Sequence, residues 1–169
     1  MTDISPPARK AQILAVANQK GGVGKTTTAI NLGAALAFQG EHVLIIDLDP
    51  QGNTSSGLGI YRSTITTSTY DVLVEGAAIA DVLEPTSVLN LYVVPATIEL
   101  AGAEIELVSM FSREQRLKQA LAGVLDEYDV VLIDCPPSLG LLTINGLAAA
   151  DEVLIPIQCE YYALEGVSQ

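Results

Sequence analysis

The residues best equipped for chemistry in this chain are two lysines five positions apart with three glycines between them, in the run Asn18-Gln19-Lys20-Gly21-Gly22-Val23-Gly24-Lys25-Thr26-Thr27. Glycines allow successive backbone N–H groups to turn inward and form a concave anion cradle. A helix starting at the end of that cradle adds the partial positive charge of its N-terminus. Lys25 could then reach the β- and γ-phosphates of a nucleotide, the Thr26 hydroxyl could bind Mg2+, and Thr27 could serve the α-phosphate. Mg2+ suits such a place because it keeps most of its waters and takes few protein ligands. The plain alternative is a glycine turn with two solvated lysines, which the apolar run before it and the helical pattern after it disfavour.

Two further segments bring carboxylates. Val43 to Ile46 runs into Asp47-Leu48-Asp49-Pro50-Gln51-Gly52-Asn53. Strand alternation sends Asp47 and Asp49 to the same side, so that one can orient an attacking water while the other supports the Mg2+ shell. Asp47 has a second reading, as a strand-end carboxylate that caps a turn. The run Val130 to Ile133 ends in Asp134-Cys135-Pro136-Pro137-Ser138, a hydrophobic strand delivering one carboxylate that can hold Mg2+ through a water. A strand ending in aspartate is common on its own; beside a phosphate loop it gains meaning.

The usual phosphate-loop spacing requires a glycine where Gln19 stands, and Lys20 opens the loop instead. Lys20-Gly-Gly-Val-Gly-Lys-Thr-Thr27 resembles the loop of deviant Walker A ATPases. The strings Asp47 to Asn53 and Pro156-Ile-Gln-Cys-Glu-Tyr-Tyr-Ala-Leu-Glu-Gly166 are similar to those of its ParA/Soj-type partitioning branch. The resemblance runs from about Gln12 to Gly166 and is loosest over Ser55 to Glu84. It implies an ATP- and Mg2+-dependent dimerisation switch that partitions chromosome or plasmid DNA. Lys20 would reach across the dimer to the other subunit's nucleotide, and Asp49 would position the hydrolytic water. The implied catalytic set is Lys20, Lys25 and Asp49; the phosphate cradle is Lys20, Gly21, Gly22, Val23, Gly24, Lys25, Thr26 and Thr27; the metal set is Thr26, Asp134 and Asp47. The implied partners are a ParB-type centromere-binding protein, non-specific DNA and a second copy of the chain in an ATP-dependent homodimer, with no membrane. The implied location is cytoplasmic and nucleoid-associated. Family members continue well past Gln169 with the basic residues that touch DNA, so this stretch alone is expected to bind DNA weakly. A MinD-like division-site ATPase and a metabolic P-loop kinase or ligase share the loop and are the rival readings. An iron–sulfur reductase is a poor one, because Ile60 to Asp134 holds no cysteine.

These residues need a scaffold to bring them together. The apolar runs Ile13 to Ala17, Val43 to Ile46, Leu89 to Val94, Val130 to Ile133 and Val153 to Ile155 barely alternate, as strands buried on both faces of a parallel sheet do. Helical patterns over Thr26 to Phe38, Arg113 to Leu125 and Thr143 to Ala150 separate them. The expectation is an α/β three-layer P-loop NTPase fold with a mostly parallel central sheet, its C-terminal strands lying beyond this chain. Residues 11–169 form one ATPase domain behind a flexible tail, Met1 to Lys10. Thr54 to Thr69 reads as a mobile loop, and Glu160 to Gln169 as the start of a helix. A net charge of −12 over 169 residues excludes a broad electropositive face. No apolar run approaches the ~18 residues of a membrane span. Cys135 and Cys159 read as buried and reduced, and His42 as a capping or surface residue.

Overall fold

In a computed structural model the structure describes residues 11–159. The expected N-terminal tail, and the helix expected from Glu160, lie outside them, as does most of the Pro156 to Gly166 string. Six strands, β1 (Gln12–Val16), β2 (Val43–Asp47), β3 (Glu84–Pro85), β4 (Leu91–Val94), β5 (Val130–Asp134) and β6 (Glu152–Leu154), form one sheet in the order β3-β4-β2-β5-β1-β6. Every pairing is parallel except that of β3 with β4. The chain crosses from β1 to β2 over β5, so the strand carrying the glycine loop and the strand ending in Asp134 are neighbours. That arrangement brings loops together at the carboxyl ends of the strands, where open α/β sheets bind ligands.

The two faces of the sheet bury different side chains, as the period of two requires. Val43, Ile45, Leu91, Val93 and Leu132 pack with Ala37 and Ile30 of the long helix α1 (Lys25–Phe38). Leu44, Ile46, Val94, Val131 and Ile133 face the opposite layer. That layer contains a π-type turn at Asp71–Glu75, α3 (Ile79–Val82), α4 (Leu100–Glu106), α5 (Arg116–Leu121) and α6 (Leu141–Ala149). The three-layer α/β reading therefore holds. Burying both faces is what gave these strands continuous apolar runs.

Some local expectations shift. The strand expected from Leu89 starts at Leu91, because Asn90 turns the chain with φ of 66° and leaves Leu89 exposed. The helix expected over Arg113 to Leu125 keeps only Arg116–Leu121. The Arg113 side chain donates to the Val108 carbonyl, and the Arg113 carbonyl accepts from Asn145. The stretch from Thr54 is not a loop throughout: α2 (Asn53–Gly57) forms there, and Thr54, Ser55, Ser68 and Thr69 are buried. Cys135 is buried as expected, whereas Cys159 is exposed. No helix among the described residues is long and apolar enough to cross a membrane.

Candidate nucleotide and magnesium site

The glycine loop joins β1 to α1 with Gly22 and Gly24 at φ of 73° and 95°, a left-handed conformation that side chains other than glycine resist. Gly24 stands at the helix N-cap, where no side chain satisfies the first N–H groups of α1, and the first turn carries no acid. Those unmatched donors and the helix dipole are what a phosphate needs. Lys25 is buried, and its Nζ donates to the Lys20 carbonyl across the loop at 3.2 Å. Lys20 and Thr27 are exposed. The loop is braced from the β6 side. Asn18 donates to the Pro156 carbonyl and accepts from the Lys20 N–H, while Gln158 donates to the Gly22 carbonyl.

A cleft of about 410 Å³ opens over the loop, walled opposite by Asp49, Gln51, Asn53 and Pro137. The end of β5 lies behind the Thr26 hydroxyl, which lines the cleft. Asp134 stands in register with Val16 of β1 and with Asp47 of β2 and is fully buried. Its Oδ2 accepts from the Thr26 hydroxyl at 2.8 Å and from the Thr54 hydroxyl at 2.6 Å. Its Oδ1, equally buried, meets no hydrogen-bond donor among the described residues. Burial raises the Asp134 pKa above the ordinary carboxylate value; the two threonine hydroxyls and Lys25 pull it down and the Asp49 charge pushes it up. A buried carboxylate with one oxygen unmatched, beside a threonine hydroxyl at a phosphate loop, is a donor set suited to a hydrated Mg2+.

The two aspartates expected to share one side do not share one environment. β2 ends at Asp47, and beyond it the chain turns, so alternation no longer governs where Asp49 points. Asp49 lines the cleft and accepts from the Gln51 N–H at 3.0 Å. Asp47 is fully buried: its Oδ2 takes the Ser55 N–H and hydroxyl at 2.9 and 2.7 Å, and its Oδ1 takes the Asp49 N–H at 3.1 Å. Burial lifts its pKa to about 7 against those Ser55 hydrogen bonds. The Asp47 carboxylate, read from the sequence as part of the metal shell, thus has both oxygens engaged by the turn that follows it. Thr54 and Ser55 are the site residues that sequence reasoning missed. Their one signal was position, two hydroxyl residues directly after the Asp49 turn.

Residues 11–169 match the family AAA_31, an AAA domain. The chain is 62% identical over 158 residues to the sporulation initiation inhibitor protein Soj of Bacillus subtilis, covering 94% of this chain and 62% of that protein. It therefore spans less than two thirds of that relative's length. Among solved structures, a cobyrinic acid a,c-diamide synthase from Mycobacterium smegmatis, with bound ATP analog and magnesium, superposes with a TM-score of 0.90 at 49% identity, over 94% of this chain and 65% of the other. A putative plasmid partition protein from Borrelia burgdorferi bound to AMPPNP gives a TM-score of 0.85 at 30% identity, over 94% and 66%. A glycine loop with an additional lysine, paired aspartates at adjacent strand ends and this match over residues 11–169 lead to one conclusion: the chain belongs to the AAA_31 family of AAA domains, in its ParA/Soj branch.

Proposed function

We propose that this chain is the nucleotide-binding part of a Mg2+-dependent ATPase that works as a dimerisation switch in chromosome or plasmid partition. The observation that carries the reading is the hydroxyl of Thr26, which lines one cleft with Asp49, set 2.8 Å from the buried Asp134 carboxylate. Support for the nucleotide comes from the M. smegmatis and B. burgdorferi structures with their bound ATP analog and AMPPNP. Support for partition comes from the Soj relative and the plasmid partition protein.

In this reading the first N–H groups of α1 and of the glycine loop bind the phosphates, and Lys25 exchanges its loop carbonyl for them. Thr26 and Asp134 hold Mg2+, which when bound draws charge from the phosphate oxygens. Asp134 Oδ1, which has no donor among the described residues, would be available to accept from water held by the ion. Asp49 orients the attacking water, and Asp47 stands behind it, fixing the turn that carries it. Lys20, exposed at the rim, reaches the nucleotide of a second copy. The ATP-bound dimer holds DNA, and hydrolysis, stimulated by a ParB-type centromere-binding partner, releases it. The protein acts in the cytoplasm at the nucleoid.

A ligase reading has its own support in the synthase among the structural neighbours. It requires an acceptor that consumes the phosphoryl group, so ADP release in ATP and Mg2+ alone separates the two. The switch is tested in a chain of the relatives' full length. Asp49→Ala is expected to accumulate an ATP-bound dimer on sizing chromatography, and Lys25→Ala to lose nucleotide binding. An Asp49→Ala protein that binds ATP but stays monomeric refutes it.

A further inference from the structure

α2 begins immediately after the Asp49 turn, and two consecutive residues of it reach three strand ends. Thr54, with no exposed surface, donates its hydroxyl hydrogen bond to Asp134 Oδ2 at 2.6 Å, at the end of β5. Ser55 gives its N–H and hydroxyl to Asp47 Oδ2 at the end of β2, and its own oxygen accepts the Ala96 N–H, just past β4, at 3.0 Å. The Asp49 segment is thereby held at both ends, by β2 before it and by α2 after it.

The consequence lies at Asp134. A carboxylate oxygen offers about two acceptor positions, and Thr26 and Thr54 together fill those of Oδ2. The carboxylate cannot rotate without losing both hydroxyls, and the buried oxygen left without a donor among the described residues is Oδ1. Thr54 is fully buried, and its hydroxyl proton is committed to Asp134. Its contact acts only through Asp134. Donors of this kind, one step removed from a metal, set the orientation of the group that holds it.

We propose that Thr54 is the positioning residue of the magnesium carboxylate, fixing Asp134 with Oδ1 as the uncommitted oxygen and tying that orientation to the turn that carries Asp49. The proposal rests on the reading of Thr26 and Asp134 as the Mg2+ site. A threonine that merely fills the core would affect stability and leave metal dependence alone, and this separates the two roles.

The test titrates Mg2+ against binding of a fluorescent N-methylanthraniloyl ATP to the wild-type chain, Thr54→Val and Thr54→Ser, with parallel titrations in EDTA. The valine variant keeps the shape and removes the donor; the serine variant keeps the donor. For Thr54→Val the Mg2+ concentration at half-effect should rise about 10-fold or more, with nucleotide affinity in EDTA unchanged, and Thr54→Ser should restore the wild-type midpoint. Thr54→Ala carries the same expectation as valine if circular dichroism finds the valine variant unfolded. A wild-type Mg2+ midpoint in the folded donorless variant overturns the proposal, as does a serine variant impaired equally. A wild-type chain whose nucleotide binding ignores Mg2+ overturns instead the site reading beneath it.

Discussion

Cys135 follows Asp134 directly, and the two share the covered end of β5. Cys135 keeps 1% of its surface, and burial first, then the Asp134 charge, pushes its thiol pKa up to about 12. Cys159 lies past β6 and is exposed. Thiol reagents attack the thiolate, so accessibility and pKa together decide reactivity. One equivalent of a disulfide reagent such as Ellman's should react in the native protein at pH 8, at Cys159, and two after denaturation in guanidinium; rapid reaction of two in the folded protein would contradict the burial of Cys135. At this scale the sequence disclosed much of the candidate site and missed its support. Lys25, Thr26, Asp49 and Asp134 were legible because each sits at a fixed offset from a strand or a glycine. Thr54 and Ser55 were not, since serine and threonine after a turn ordinarily bond their own backbone. What singles them out is a partner at a strand end, 80 residues away in the case of Thr54 and Asp134.

α6 packs tightly where it crosses the end of β5. A β-carbon added at Gly146 would lie 2.9 Å from Cys135 Sγ, 3.1 Å from Leu48 Cδ1 and 3.2 Å from Ile133 Cγ2. Replacing a helical glycine ordinarily gains up to about 1 kcal/mol in helix propensity, less for a β-branched residue. Overpacking a tight core costs about 1–3 kcal/mol, and here three neighbours are struck at once. Gly146→Val should therefore lower stability by about 1–3 kcal/mol, visible as a fall of several degrees in the thermal midpoint by circular dichroism. An unchanged or higher midpoint would mean that α6 can move off the sheet. The elements were more legible than their limits. Strand runs with little alternation announced a sheet covered on both faces. The left-handed turn at Asn90 and the hydrogen bonds of Arg113 and Asn145, which shorten β4 and α5, are tertiary facts that no local pattern carries.

Over the whole molecule the charge is −12, and only eight lysines and arginines are present. Lys20 and Lys25 both belong to the nucleotide loop. Affinity for duplex DNA rests on the number of phosphates a protein neutralises, and a chain so acidic has few cations to offer. Residues 1–169 alone should bind a random duplex no more tightly than about 10⁻⁴–10⁻⁶ M at physiological salt, measured by fluorescence anisotropy. Sub-micromolar binding would place a DNA surface within this stretch. The fold class and the position of the cleft at the carboxyl edge were readable from strand and helix order alone. Strand order was not, because the crossing of β1 over β5 to β2 depends on which strands pair.

The sheet's two borders differ in a way that gives the molecule a direction. At one border β3 is two residues long and antiparallel, and Pro85 has no N–H to offer a neighbour. At the other, β6 pairs with β1 on its inner side, and Val153, Ile155 and Ile157 in and after it are exposed. An open edge with apolar side chains is a template on which further backbone can zip. Among the described residues β6 pairs with β1 alone, so a further strand, from the same polypeptide or a neighbouring one, would find fewer obstacles at β6, beside the strand that leads into the glycine loop, than at the β3 border.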